Sequence, residues 1–434
     1  MTSFVSTLFS PMTVSLVVFL AAYVCFVVFP GHRSWVACGG ALLLVVSKVV
    51  TPTEALLEKV NWNVMGLFLG TLVLAELFLA SRAPSVFSGW LVSRCRSGRA
   101  AMVMVCALSG FISIFVENVA VVLLVAPVAL SLAEQLKANP IRLLIGIAIC
   151  SNVQGAATMI GDPPSMILAG AMRLGFWDFF VYQGKPGIFF AIEIGALASL
   201  LILAYCFRRY KGGRPETQKQ TARSWVPTVL LVVLIVGLSC ASAIDRDFRW
   251  FAGTFTLAVA AAGLLWYAVF ARWGKTTGLL RSLDWDTTFF LVGVFVLVGA
   301  LADSGWMDSL AGFLGNLTGN SLVGAYLLIV FFAVAVSAFV DNTPFLLVMI
   351  PVAQKMAAHL GAPVPLLLFG LLIGACLGGN IAPIGASANV VALGILRKQG
   401  YTVSFREFMK VSVPFTAAAV LAGCLFVWFV WNSP

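Results

Sequence analysis

The sequence predicts an all-α polytopic membrane protein. It reads as two inverted-topology repeats, each of five transmembrane helices plus one re-entrant hairpin, with broken helices at mid-membrane. Three observations predict this: dense apolar runs, a self-match between the chain halves, and polar helix-breaking segments inside apolar stretches.

Of 434 residues, 61% are hydrophobic and 10% charged, with mean hydropathy +1.02. A soluble chain would carry about 25% charged residues. Runs such as 12–29, 227–243 and 415–431 can each cross ~30 Å of hydrocarbon as a helix. The net charge of +10 sits in connecting loops, where membrane proteins place Lys and Arg, so it is no nucleic-acid signal. The first basic residue is Arg33, so the first run lacks the positive flank of a cleavable signal and reads as a span. The nine cysteines form no CxxC and mostly lie in apolar runs as small hydrophobes. Cys150 and Cys376 stand out only because each borders a broken segment.

The halves align at a near-constant offset. FISIFVENVAVVLLVAPVA (111–129) lies over AVSAFVDNTPFLLVMIPVA (335–353), pairing Ser113 with Ser337, Glu117 with Asp341, Asn118 with Asn342 and Pro127 with Pro351. GAATMIGDPPSMILAG (155–170) lies over GNIAPIGASANVVALG (379–394) at the same 224-residue offset, and VNWNVMGLFLG (60–70) over LDWDTTFFLVG (283–293) at 223. Between the halves runs the polar RRYKGGRPETQKQTARS (208–224), with six Lys/Arg against one Glu. This organisation predicts a first membrane repeat over 1–207, a cytoplasmic linker over 208–225 and a second, inverted repeat over 226–434.

Spans are expected near 12–30, 36–50, 64–80, 143–170 and 187–207, then near 226–244, 251–271, 288–303, 364–396 and 411–431. The apolar stretches around Glu117 and Asp341, about 33 residues each, read as hairpins whose polar tips dip into the membrane. Irregular backbone at that depth is tolerated only inside protein or along a wet cavity. Five crossings per half is odd, so the second half must be inverted, an arrangement typical of secondary transporters. With the linker inside, seven of the 27 Lys/Arg fall outside (Lys48, Lys59, Arg173, Lys185, Arg246, Arg249, Lys355) and the other 20 inside. The segment between Arg82 and Arg99 reads as an inner loop and 303–320 as an outer one. Both termini come out external, and a bacterial inner membrane is the expected location.

Five of the 17 carboxylates lie at membrane depth: Glu76, Glu117, Asp162, Glu193 and Asp341. A charge there costs at least ~2.5–3.5 kcal/mol on the insertion scale, which marks a functional candidate. Glu117 and Asp341 are mates at the tips. There they can cap the second hairpin arms, and a capped half-helix N-terminus also suits an anion. Asp162 stands at a break, in Gly161-Asp162-Pro163-Pro164. Gly and Pro account for the break. The acid suits a coupling cation, H⁺ or Na⁺, with Na⁺ placed near Asn118 and Asp162. Glu76 and Glu193 have no acidic mate.

The second break, 378–389, carries no acid and offers Asn380, Ser387, Asn389 and freed carbonyls, which suits a neutral or hydrogen-bonding group. No Lys or Arg falls in the breaks or tips, so a multivalent anion would depend on helix dipoles and a co-bound cation. His32 and His359 sit at segment ends and HExxH is absent, which argues against an intramembrane zinc protease. GKTT (274–277) lacks the first glycine of a phosphate loop, with Val269 in its place, and follows a span, not a strand. No enzyme and no resident cofactor are expected.

SNVQGAATMIGDPPSMI and GACLGGNIAPIGASANVV resemble the paired signatures of the ion transporter superfamily. The branch is that of arsenite-efflux permeases, NhaD-type sodium/proton antiporters and the P protein, with a citrate-transporter-like domain. GYTVSFREFMKVSVPF (400–415) is similar to the P-protein type. The resemblance covers nearly the whole chain and implies a homodimer with elevator-like alternating access. It implies substrate and ion sites at Glu117, Asn118, Asn342 and Thr343 of the tips, beside the Asp341 already singled out. At the breaks it implies Asn152, Gly161, Asp162, Asn380, Ser387 and Asn389. The chain departs from the pattern at Gln154, where the P-protein type usually has Gly, and at Ser165, where it usually has Asn. Its tips read Glu-Asn-Val and Asp-Asn-Thr, against Ser-Asn-Thr at both tips of dicarboxylate carriers. The expected function is ion-gradient-coupled transport of a small anion, oxyanion or arsenite-like solute. The alternatives are an NhaD-type Na⁺/H⁺ antiporter and a passive anion channel.

Overall fold

The protein is described here as a computed structural model covering residues 10–210, 221–245, 247–271, 273–319 and 321–432. The middle of the linker, 211–220, lies outside the described residues.

In the first half, α1 is Pro11–Val28, α2 Arg33–Val46 and α3 Trp62–Ala80, with a short helical turn over Pro52–Lys59 between the last two. Then come α4 (Ala83–Ser93), α5 (Gly98–Ser113), α6 (Asn118–Gln135), α7 (Ile141–Gly155) and α8 (Pro163–Met172). A two-stranded antiparallel hairpin, β1 (Val181–Tyr182) and β2 (Lys185–Pro186), precedes α9 (Ile188–Cys206). The second half holds α10 (Val226–Ile244), α11 (Phe251–Phe270), α12 (Thr276–Ser282), α13 (Trp285–Asp303), α14 (Trp306–Leu317) and α15 (Leu322–Ser337). It ends with α16 (Asn342–Leu360), α17 (Val364–Gly378), α18 (Ser387–Lys398) and α19 (Phe405–Trp431).

The bundle is therefore helical, as expected, apart from the β hairpin, whose Gln183 and Gly184 both take positive φ as a tight two-residue turn needs. Among the described residues, seven helices are long and apolar enough to cross a membrane singly, α3 and α13 among them. Two expectations need correcting. The segments read as loops after α3 and α13 each hold a helix, α4 and α14. In α14, Met307, Ala311 and Leu314 form one buried stripe, so it lies on the bundle by one face.

Helices open at matched positions in the two halves: residues 98 and 322, 118 and 342, 163 and 387 are each 224 apart. Local chemistry explains several of these starts. Asn61 Oδ1 accepts from Val64 N at α3, and Asp284 Oδ1 accepts from Thr287 N at α13. Packing is reciprocal between halves. α3 packs on α11 and α13 on α2. A Cβ on Gly70 would lie 2.9 Å from the Thr256 backbone of α11, and one on Gly293 2.5 Å from the Ala37 backbone of α2. Close helix approach through small residues is what holds helices together in lipid. A second body forms around α5–α9 and α15–α19, where α5 packs on α7, α15 on α17 and α9 on α19. Within it each short helix crosses to the other half: α8 touches α16 and α17, while α18 touches α6 and α7.

Candidate functional site

The site lies where the turns that open α6 and α16, read from the sequence as hairpin tips, meet the two breaks; both helices are themselves long and apolar enough to cross a membrane. At the first tip, Glu117 caps α6 by accepting from Ala120 N at 3.1 Å, and Asn118 Oδ1 accepts from Ser113 Oγ at 2.5 Å. At the second, Asp341 caps α16 by accepting from Thr343 N at 3.0 Å. Ser337 does not repeat the Ser113 contact; it donates to the Ala375 carbonyl at 2.5 Å, leaving Asn342 to accept from Thr343 Oγ1 at 3.3 Å. Thr343 is buried and Asn342 half-buried.

The breaks fold back onto the tips through two glycines. A Cβ on Gly161 would lie 2.5 Å from the Gly155 carbonyl oxygen, 2.6 Å from that of Ser113 and 3.0 Å from that of Ile114. A Cβ on Gly385 would lie 2.6 Å from the Gly379 oxygen, 2.7 Å from that of Ala338 and 3.0 Å from that of Ser337. The same three carbonyls thus converge in each half. Gly155 also leaves room for Asn118, whose Oδ1 would sit 2.4 Å from any Cβ there. Backbone cannot yield to a methyl group at these distances. Gly161→Ala and Gly385→Ala are each expected to cost about 1–3 kcal/mol of stability. Thermal unfolding of the detergent-purified variants checks this; wild-type values for both would remove the tip–break contact as a requirement of the fold.

Asp162 follows Gly161 with extended backbone, φ −148° and ψ 143°, and its mate Ala386 adopts nearly the same angles, −143° and 145°. The Asp162 carboxylate makes no capping bond to α8, whose first two positions, Pro163 and Pro164, have no N–H to offer. The break therefore forms without an acid in one half and does not use the acid in the other. Asp162 is 7% exposed, and its charge interacts with Glu117, Asp341 and the Asn118 side chain.

The amides of the two breaks meet at the centre. Asn152 Nδ2 donates to Asn380 Oδ1 at 2.8 Å and to Asn389 Oδ1 at 3.2 Å. Asn380 Nδ2 donates to the Ile149 carbonyl, and Asn389 Nδ2 to those of Gly379 and Ala382. All three amides are buried, yet Asn152 Oδ1 has no partner. Ser387 is exposed at the start of α18 and does not join this cluster.

No Lys or Arg falls within the breaks or tips, but one from elsewhere in the chain reaches a tip. Arg33, at the start of α2, donates from Nη1 to Asp341 Oδ2 at 2.7 Å, from Nε to Asp286 Oδ2 at 2.9 Å and from Nη2 to Thr287 Oγ1 at 2.7 Å. Its guanidinium also lies over the Phe290 ring. Ser34 donates to the other oxygen of Asp286. Arg33 is 308 residues from Asp341 and lies outside the self-matching blocks, so neither spacing nor the self-match could reveal it. The remaining intramembrane acids have other partners: Glu76 accepts from Ser282 and Glu193 from Gln154. A separate cavity of about 390 Å³ lies between α3, α8, α13 and α16, lined by Glu58, Lys59, Asn61 and Gln354 among others. It contains none of the tip and break residues placed above, so the site is the oxygen-lined junction and not this cavity.

Mirrored helix breaks and tips that gather a buried acid and three buried amides, inside an apolar bundle of crossing helices, fit an integral membrane protein of the secondary-transporter class. The chain belongs to the citrate transporter family, whose model matches residues 23–374. It is 29% identical to an uncharacterized transporter of Mycobacterium tuberculosis over 96% of this chain and 97% of that one. It is 26% identical to the human P protein over 91% of this chain, which corresponds to 57% of the P protein. Its fold is similar to that of the YdaH transporter of Alcanivorax borkumensis, with TM-score 0.58, 15% identity and 89% and 88% of the two chains covered. It is also similar to Neisseria gonorrhoeae MtrF, from a class described as antimetabolite efflux pumps, with TM-score 0.56, 12% identity and 97% and 95% covered.

Proposed function

We propose that this protein is a cation-coupled carrier that moves a small anion, oxyanion or arsenite-like solute by alternating access. The observation that carries the reading is Asp162: a buried acid at a break that needs no acid, hydrogen-bonded by the Asn118 side chain and next to Gly161, where three backbone carbonyls gather. Such an oxygen set suits H⁺ on the carboxylate or a hard cation such as Na⁺. The solute's place is the amide cluster. Asn152 Oδ1 there would accept a hydrogen bond from a hydroxyl of a protonated oxyacid. Three of the five N–H donors of Arg33 go to Asp286, Asp341 and Thr287, so its charge is held as the counter-ion of the tip.

A second reading, Na⁺/H⁺ exchange, is favoured by charge: Asp162 faces the like charges of Glu117 and Asp341, and of the three Arg33 offsets only those two. Under either reading the two chain halves act as inverted repeats in an inner membrane, with external termini and a homodimeric assembly. Purified protein in liposomes loaded with a pH dye, offered Na⁺, Li⁺, arsenite, citrate and chloride in turn, tests both. Proton movement with arsenite or another solute supports the first reading, and movement with Na⁺ or Li⁺ alone supports the second. Conductance far above carrier turnover, indifferent to proton and sodium gradients, would mean a channel and defeat both.

A further inference from the structure

One intramembrane acid has no part in the tips or breaks. Glu193 is the sixth residue of α9, about 8 Å along the axis from Ile188. Its Oε2 accepts from Gln154 Nε2 at 3.2 Å. Its Oε1 is buried without a partner, and so is the amide oxygen of Gln154, a residue only 9% exposed. Two buried acceptors side by side in apolar surroundings both lack a donor, which is costly for each.

The other half of the chain shows that this polarity is inserted, not inherited from the packing. At the 224-residue offset Gly110 corresponds to Val334, Gln154 to Gly378 and Glu193 to Ala417. In the second half a Cβ on Gly378 would lie 2.7 Å from the Val334 backbone, so α17 lies flat on α15. In the first half the glycine is on α5 instead. A Cβ on Gly110 would lie 2.8 Å from Gln154 Oε1, so the missing side chain makes the space the amide fills. The small residue has changed helices, and the room gained holds an amide aimed at an acid.

A proton supplies the missing donor. A protonated carboxyl both donates and accepts, and the Gln154 amide can turn over to present its oxygen to the new O–H. A metal ion fits poorly, because among the described residues no group of three His, Cys, Asp or Glu gathers to hold one. The elements packed against α9 are α5, α7 and α19. Their charged residues are Arg99, Arg142, Arg406, Glu407 and Lys410, all within the first six residues of their helices, and their thiols are Cys106, Cys150 and Cys424.

We infer that Glu193 and Gln154 form a reversible proton-binding site beside the first break, with Gln154 linking its state to the end of α7. One proton moves between water and a Glu193 oxygen. Exchange of that proton during transport rests on the carrier reading; the site itself does not.

Infrared difference spectroscopy on the full-length protein in lipid, stepped between roughly pH 5 and pH 9, tests it. The expected result is a protonated-carboxyl C=O band that bleaches at the high end and loses one component in Glu193→Gln. In Gln154→Leu the component remains but shifts to higher wavenumber, because its hydrogen bond is gone. Absence of a titrating band in the wild type, or its full survival in Glu193→Gln, overturns the inference. If Glu193→Gln does not fold, an unshifted band in Gln154→Leu overturns it instead. Solute uptake without the band would leave the carrier reading standing and end this one, and the band without uptake would do the reverse.

Discussion

Asp162→Asn is expected to abolish gradient-driven uptake or exchange while the protein still folds, inserts and assembles as the wild type does. The expectation follows from what Asp162 does not do. It makes no capping bond, two prolines follow it, and Ala386 holds the same backbone angles in the other half without a polar side chain. Asparagine keeps the shape and loses only the charge and its exchange with a cation. The stability change should stay below about 1 kcal/mol. Reconstituted transport under an imposed proton or sodium gradient, beside thermal unfolding, measures both quantities. Wild-type coupled transport by this variant would remove Asp162 from the coupling site. A large fall in stability would mean that the carboxylate holds the fold.

Arg33 carries the second large effect. Its guanidinium joins α2 and the start of α13 to the second hairpin tip through two carboxylates and a hydroxyl. Removing the partner of a buried charge costs ~3–5 kcal/mol. Arg33 and Asp341 side chains are 19% and 27% exposed and Asp286 is 41% exposed, so screening lowers the figure. Arg33→Gln is expected to destabilise by about 1–3 kcal/mol. Arg33→Lys should recover little of this, because an ammonium cannot reproduce the planar fork. A double-mutant cycle of Arg33→Gln with Asp341→Asn, read by thermal unfolding, should show a coupling of about 1–2 kcal/mol. Additive effects would mean that the pair contributes nothing specific. The pair also joins the tip to the α2–α13 body, so any movement of the tip against that body must break it, and both variants should alter transport rate as well as stability.

Features set by neighbours along the chain were legible. Gly161-Asp162-Pro163-Pro164 announced a helix break, because Pro removes N–H groups and restricts the residue before it. Glu117 and Asp341 announced caps, because a short acid before a run of unsatisfied N–H groups accepts from them. The self-match announced that helices would open 224 residues apart. The loops expected after α3 and α13 were misread because α4 and α14 are short, and α14 buries only one stripe, so neither gives the long apolar signal of a span.

What the sequence by itself determined was the set of local events: apolar runs long enough to cross lipid, the places where helices must stop, and the acids at membrane depth. Each depends on residues a few positions apart, so spacing and side-chain chemistry suffice. Only the tertiary structure decided which oxygens share a site. It brought Arg33 to Asp341 across 308 residues, Asn152 to Asn380 and Asn389 across 228 and 237, and Gln154 to Glu193 across 39. It also separated the two roles an acid can have at a break or tip, capping for Glu117 and Asp341 and no capping for Asp162. The physical reason is that partnering inside a membrane is settled by how helices pack. Packing in turn depends on single small residues such as Gly110, Gly161 and Gly385, whose neighbours in space cannot be read from their neighbours in sequence.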